Sequence, residues 1–214
     1  MTEPVSSNFS ANEIEQLCLK AARGAGLSWG LAEEAGAAAA WLVLQGIDGP
    51  KYLLQLLTLG PVAGPELPWG DQQILTCPIS LGASLCDYVN LPQTNLQDQK
   101  LDLGLVAQPA LLLPFLSRMA QIKGHALELI AAGPRVVLTA KGGIAFIGAE
   151  IPFVTQAKLQ LAAMKQVPQT EAWRKPCNLS LTAINALNSF AMRTTVPASE
   201  ASRAGAGASD RDQD

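Results

Sequence analysis

Arg23, Trp29 and Glu34 stand on either side of a glycine-rich turn, and Glu200 and Arg203 stand near the other end of the chain. An arginine can grip a carboxylate or phosphate through two parallel hydrogen bonds. An indole offers a large face with one polar edge. A carboxylate entering a mostly apolar helix can serve as a general base if its surroundings tune it. Arg23 leads into Gly-Ala-Gly26, and Arg203 leads into Ala-Gly-Ala-Gly207. Small residues on both segments would let two backbones approach closely. The expectation is that the C-terminal segment folds back, so that Arg23, Arg203, Glu34 and Glu200 line one polar cleft. Such a set compensates itself when empty and opens to an anion. Glu34 and Glu200 are the candidate catalytic carboxylates, and Arg23, Trp29 and Arg203 the candidate ligand contacts.

Each residue also has a plainer explanation. Glu33 and Glu34 are neighbours about 100° apart on a helix, so they cannot act as a facing acid and base. In a first helical turn both would gain from the helix dipole, as Arg23 would at a helix end. Trp29 and Trp41 fit a core as well as a ligand platform.

Several other chemistries are excluded. His125 is the single histidine, so any nucleophile–histidine pair must use it; it lies beside Gly124 at the start of a predicted strand. Cys18, Cys77, Cys86 and Cys177 show no paired spacing and are expected to be free thiols without a metal. Gly24-x-Gly26-x-x-x-Gly30 looks like a loose dinucleotide fingerprint, but a helix precedes it where a strand is required. No cofactor is expected. Net charge is −3 and basic residues do not cluster, which argues against nucleic acid. The apolar runs Ala35–Leu44 and Leu103–Leu116 are too short to span a bilayer, and no secretory signal pattern opens the chain, so a cytoplasmic bacterial protein is expected. Only 15% of residues are charged against 49% hydrophobic, and that balance favours a homo-oligomer or a protein partner.

The positioning elements follow from periodicity. Ser10 and Glu13 form a capping box that opens a first helix, whose apolar face is Ile14, Leu17, Cys18, Ala21, Ala22 and Ala25. Gly24 and Gly26 end it, and Ser28 caps a second helix to about Gln45 that is apolar on nearly every side. Gly36 in its middle implies close backbone approach by a neighbour. Asp48 caps a short third helix with Pro50 in its first turn. Gly- and Pro-rich residues 58–73 form loop, Gln73–Cys77 and Leu101–Ala107 are short strands, and Pro109 opens a helix through Ile122. His125–Ala131, Arg135–Lys141, Ile144–Ile147 and Lys158–Ala162 read as strands, with a two-residue primed turn at Gly142-Gly143. A final helix covers about Leu181–Arg193. The fold class expected is α+β, with the N-terminal hairpin and the C-terminal helix packed on an antiparallel β meander. Residues 10–204 form one domain between a flexible 1–9 and a flexible acidic 205–214.

Ala22-Arg-Gly-Ala-Gly-x-x-Trp-Gly-Leu-Ala-Glu-Glu-Ala-Gly36, with Gly46-x-Asp-Gly49, resembles the start of a proteobacterial domain-of-unknown-function family of about this length. Val196-Pro-Ala-Ser-Glu-x-Ser-Arg203 resembles its ending, although Thr195 stands where tyrosine is usual. The resemblance implies no activity. A fainter one is to the malate/lactate dehydrogenase-like oxidoreductases, in which Gly-Ile-Asp precedes Ser-His-Gly. Here Gly46-Ile47-Asp48 precedes Gly49-Pro50-Lys51, so the histidine is missing and the activity is not carried over. The function expected is an accessory or binding subunit for a small anionic metabolite or an enzyme partner. The alternative is a small metabolic enzyme using glutamate and arginine residues where the hairpin meets the C-terminal segment.

Overall fold

The computed structural model describes residues 9–65, 67–69, 74–97, 99–132, 135–147, 154–164 and 177–195. Helix α1 spans Ala11–Gly24 and begins at the expected capping box. Ser10 Oγ accepts from Glu13 N–H at 3.2 Å, while Glu13 Oε2 accepts from Ser10 N–H at 2.8 Å. The Ser10 N–H and hydroxyl, both donating to Glu13 Oε2, hold the carboxyl below its ordinary pKa. Helix α2 spans Trp29–Leu44, capped by Ser28, and buries Ala32, Ala35, Gly36, Ala38, Ala39, Ala40 and Leu42. The neighbour that Gly36 implied is α1: a Cβ there would stand 2.7 Å from the Glu15 carbonyl oxygen.

Helix α3 spans Gly49–Thr58 and α6 spans Leu181–Ala191, followed by a 3-10 turn at Met192–Thr194. Asp48 ties the two helices together. Its Oδ1 accepts from Lys51 N–H at 3.2 Å and caps α3, and its Oδ2 accepts from Ser180 N–H at 2.9 Å in the residue that caps α6. One carboxylate thus serves two helix starts that are far apart in sequence.

Gly24 was expected to end α1 by backbone freedom, but its role is different. It is the last residue of α1, Ala25 is the C-cap, and Gly26 with φ +103° makes the turn. A Cβ on Gly24 would collide with the Phe190 carbonyl of α6, so the missing side chain admits α6.

Helix α4, Pro78–Asp87, has no counterpart in the sequence reading, which assigns no element between Cys77 and Leu101. The expected strand at 73–77 shrinks to one parallel bridge, Thr76 to Val106, with Gln73 outside the described residues. Helix α5, Leu113–Lys123, tolerates Pro114 because it lies in the first turn, where no intrahelical N–H is lost.

The sheet contains β1 Leu101–Ala107, β2 Leu127–Ile130, β3 Arg135–Leu138, β4 Ile144–Ile147 and β5 Gln156–Ala163, in the order β1-β5-β2-β3-β4. All strand pairs are antiparallel. The α+β class therefore holds, but only β2-β3-β4 is a meander. Strand β5 returns to lie between β1 and β2, which makes β1-α5-β2 a split βαβ unit. Leu103 bulges out of the β1–β5 ladder beside Gly104, whose φ is +68°. The β3–β4 connection is not the two-residue turn expected. Thr139 and Gly143 close a three-residue loop with Gly142 at φ +84°, and Thr139 Oγ1 accepts from Gly143 N–H at 2.9 Å.

Leu127, Leu129, Val136, Leu138, Leu159 and Leu161 join α5 and the helical layer in the main core. Val137 is buried too, with Ala126 and Ala145 in a second small cluster, so β3 is not covered on one side only.

Candidate functional site

The turn joining α1 to α2 places Arg23 and Trp29 together. The Arg23 guanidinium carbon lies 4.6 Å from the centre of the Trp29 ring, and Nη1 donates to the Leu27 carbonyl. These two contacts orient the guanidinium and leave Trp29 63% exposed, which removes it from the core. The sequence reading missed Arg193 and Lys20 here. Arg193 comes from the 3-10 turn after α6, with its guanidinium carbon 4.4 Å from the Phe190 ring centre. Lys20 lies one helical turn before Arg23 on α1. Together Lys20, Arg23, Trp29, Arg193 and Thr194 line a groove of about 740 Å³, to which no described carboxylate contributes. Arg193 could have been weighed from its place at the end of a predicted helix, but nothing local in the sequence aims it at Arg23.

Glu34 does not join this groove. It is not in the first turn of α2, which holds no acidic residue, so the dipole explanation for Glu33 and Glu34 fails as well. Glu34 Oε1 lies 3.5 Å from Arg118 Nη1 of α5 and lines a separate pocket of about 190 Å³ with Trp41 and Gln121. Side chains 52% and 32% exposed make this pair worth at most about 1 kcal/mol. Glu200 and Arg203, and with them the folded-back C-terminal segment, lie outside the described residues, as do residues 1–8 and 205–214.

A third cavity, of about 300 Å³, lies beyond the Ala25-Gly26 turn between α2, α3 and the start of α4. Leu31, Leu56, Leu57 and Val62 line it, with Ser28, Cys77 and Ser80.

Among the described residues, the remaining groups carry no reactive arrangement. His125 Nδ1 lies 3.1 Å from the Lys123 carbonyl, and Nε2 is buried without a hydrogen-bond partner, so no hydroxyl or thiol is paired with it. All four cysteines are free. Burial, with a smaller push from Asp48, raises the Cys18 thiol to about 12 and Cys177 to about 11. Burial also raises Cys86 to about 11, and it raises Cys77. Thiols shifted upward are poor nucleophiles at neutral pH.

The same shifts make stability depend on alkaline pH. Cys18 ionises near 9.0 unfolded and near 12 folded, and Tyr52 near 10.0 and 12. Between those values the native state holds protons that the unfolded chain has lost, so stability falls as pH rises. The melting temperature should be level up to about pH 8.5 and then drop steadily toward about pH 11. Cys18→Ala should lessen the slope; a profile flat to pH 11 would show that these groups are not buried as described.

The geometry thus defines an α+β protein with a cationic groove at the turn of a helical hairpin and no assembled catalytic set among the described residues. Residues 9–94, from the start of the hairpin to the turn after α4, match the family described as Protein of unknown function (DUF3726). The matched segment includes Lys20, Arg23 and Trp29 but not Arg193. A search of curated proteins found no match. No helix among the described residues is long and apolar enough to cross a membrane.

Proposed function

We propose that the protein is an accessory or binding subunit that holds a small anionic metabolite in the Lys20–Arg23–Arg193 groove. The observation that carries this reading is three cationic side chains from two distant parts of the chain lining one groove without a described carboxylate. Uncompensated cations in a concave site focus field on an anion. Arg23, already oriented by Leu27 and Trp29, loses little freedom on binding. The exposed apolar side chains Leu44, Leu59, Ile122 and Met192 support a second copy or an enzyme partner in addition. Four free thiols fit a reducing, cytoplasmic setting. The enzyme alternative is weaker, because Glu34, its proposed base, is paired with Arg118 away from the groove.

Titration calorimetry with pyrophosphate and with citrate at low salt tests this reading. Each should bind, and each should weaken as salt is raised. Arg193→Ala and Lys20→Ala should each weaken binding about tenfold, while Glu33→Gln should not. Unchanged heats with both anions would overturn the proposal.

A further inference from the structure

We propose that the cationic groove and the uncharged slot beyond it form one bipartite site for an amphipathic anion, a phosphate or carboxylate head carrying a short apolar tail. The inference rests on the anion-binding reading and adds the class of ligand.

Ala25 and Gly26 line both cavities, so one turn of backbone is the wall between them. Gly26 is exposed, and a Cβ built on it would meet nothing within 4 Å. The wall is therefore low, and a chain can cross it without displacing a side chain. The slot has about 300 Å³ and no charged lining residue. One of its hydroxyls is already engaged, and its thiol is protonated. Ser28 Oγ accepts from Leu31 N–H at 3.4 Å, and Cys77 is held as a thiol by burial. A charged head placed there would have no counter-charge, and desolvating it would be costly. An alkyl tail placed there would gain from Leu31, Leu56, Leu57 and Val62. The groove differs in charge, with three cations beside one exposed ring and Leu19. It supplies the charge that the slot lacks, and the two meet at a residue without a side chain.

The test compares octyl phosphate below its micelle concentration with methyl phosphate and 1-octanol, on the full chain. Octyl phosphate should bind at least about tenfold tighter than methyl phosphate, since several methylenes leave water. It should also bind at least about tenfold tighter than octanol, which lacks the head. Arg193→Ala should reduce octyl phosphate and methyl phosphate binding alike. Val62→Trp, which fills the slot, should erase the advantage of octyl phosphate and leave methyl phosphate binding unchanged. A second readout needs no variant. At about ten times its dissociation constant, octyl phosphate should slow maleimide labelling of Cys77 about tenfold, and methyl phosphate should not. Equal affinity for the two phosphates, both sensitive to Arg193→Ala, would overturn the bipartite site and leave the anion groove standing. Binding of octyl phosphate that matches octanol and ignores Arg193→Ala would overturn both.

Discussion

Replacing Asp48 with alanine should cost about 3 kcal/mol of stability. The carboxylate makes two contacts at once, capping α3 through Lys51 N–H and holding Ser180 N–H at the start of α6. Loss of a helix cap costs about 1 kcal/mol. Stranding a partly buried amide that faced a charged acceptor adds about 1.5–3 kcal/mol. For a chain of this length the melting temperature should fall by about 6–12 °C. Asp48→Asn separates the two contacts, because an amide keeps one accepting oxygen where the carboxylate has two. It should fall between wild type and Asp48→Ala in urea denaturation. An alanine variant that melts within about 1 °C of wild type would mean that α3 and α6 are not joined at this residue.

Gly24→Ala should be the second large loss, and its sign runs against helix propensity. In an isolated helix this change is worth about 1 kcal/mol in favour of alanine. In the protein the new methyl meets the Phe190 carbonyl, a backbone atom that moves only if α6 moves. Overpacking costs about 1–3 kcal/mol, and a clash with backbone lies at the top of that range, so after the propensity gain a net loss of about 2 kcal/mol is expected. Because Arg193 follows α6, pyrophosphate binding should weaken along with stability. Gly30→Ala is the matched control: it is also helical, but nothing lies within 4 Å of its added Cβ. It should be neutral or stabilising by up to about 1 kcal/mol. If both glycine variants are stabilising, α6 does not rest against α1 at Gly24.

Features set by neighbours in sequence were legible before the structure. The Ser10–Glu13 box, the Asp48 cap and the burial of α2 each depend on residues within one or two turns. Gly36 was legible in kind, since an apolar helix with a central glycine must meet another backbone, though which one was not. Helix α4 was overlooked although Pro78 marks its first turn, because its apolar positions Ile79, Leu81 and Leu85 do not make a clean helical stripe. The place of β5 could not be read at all. Its alternation gives a strand, but whether that strand extends the meander or enters between β1 and β2 is decided by packing. The site divides the same way. Arg23 and Trp29 were singled out and do adjoin one another, being six residues apart across a turn. Glu34 was placed with them for its charge, yet it found Arg118, 84 residues later, and Arg23 acquired Lys20 and Arg193 as company.

The order of the sheet carries a consequence in time. Among the described residues, strand β1 has its only full ladder with β5, so residues 101–107 wait for residues 156–163 before their backbone is satisfied on that edge. Helix α1 likewise waits for α6, and the second oxygen of Asp48 waits for Ser180. A chain emerging from the ribosome at about 5–20 residues per second would complete the hairpin early and neither layer until residues 156–191 had followed. During those seconds the flank of β1 and the α6-facing side of α1 are open to whatever else can pair with them. The late arrivals at residues 156–163 and 181–191 therefore act as latches, each closing a surface made long before it.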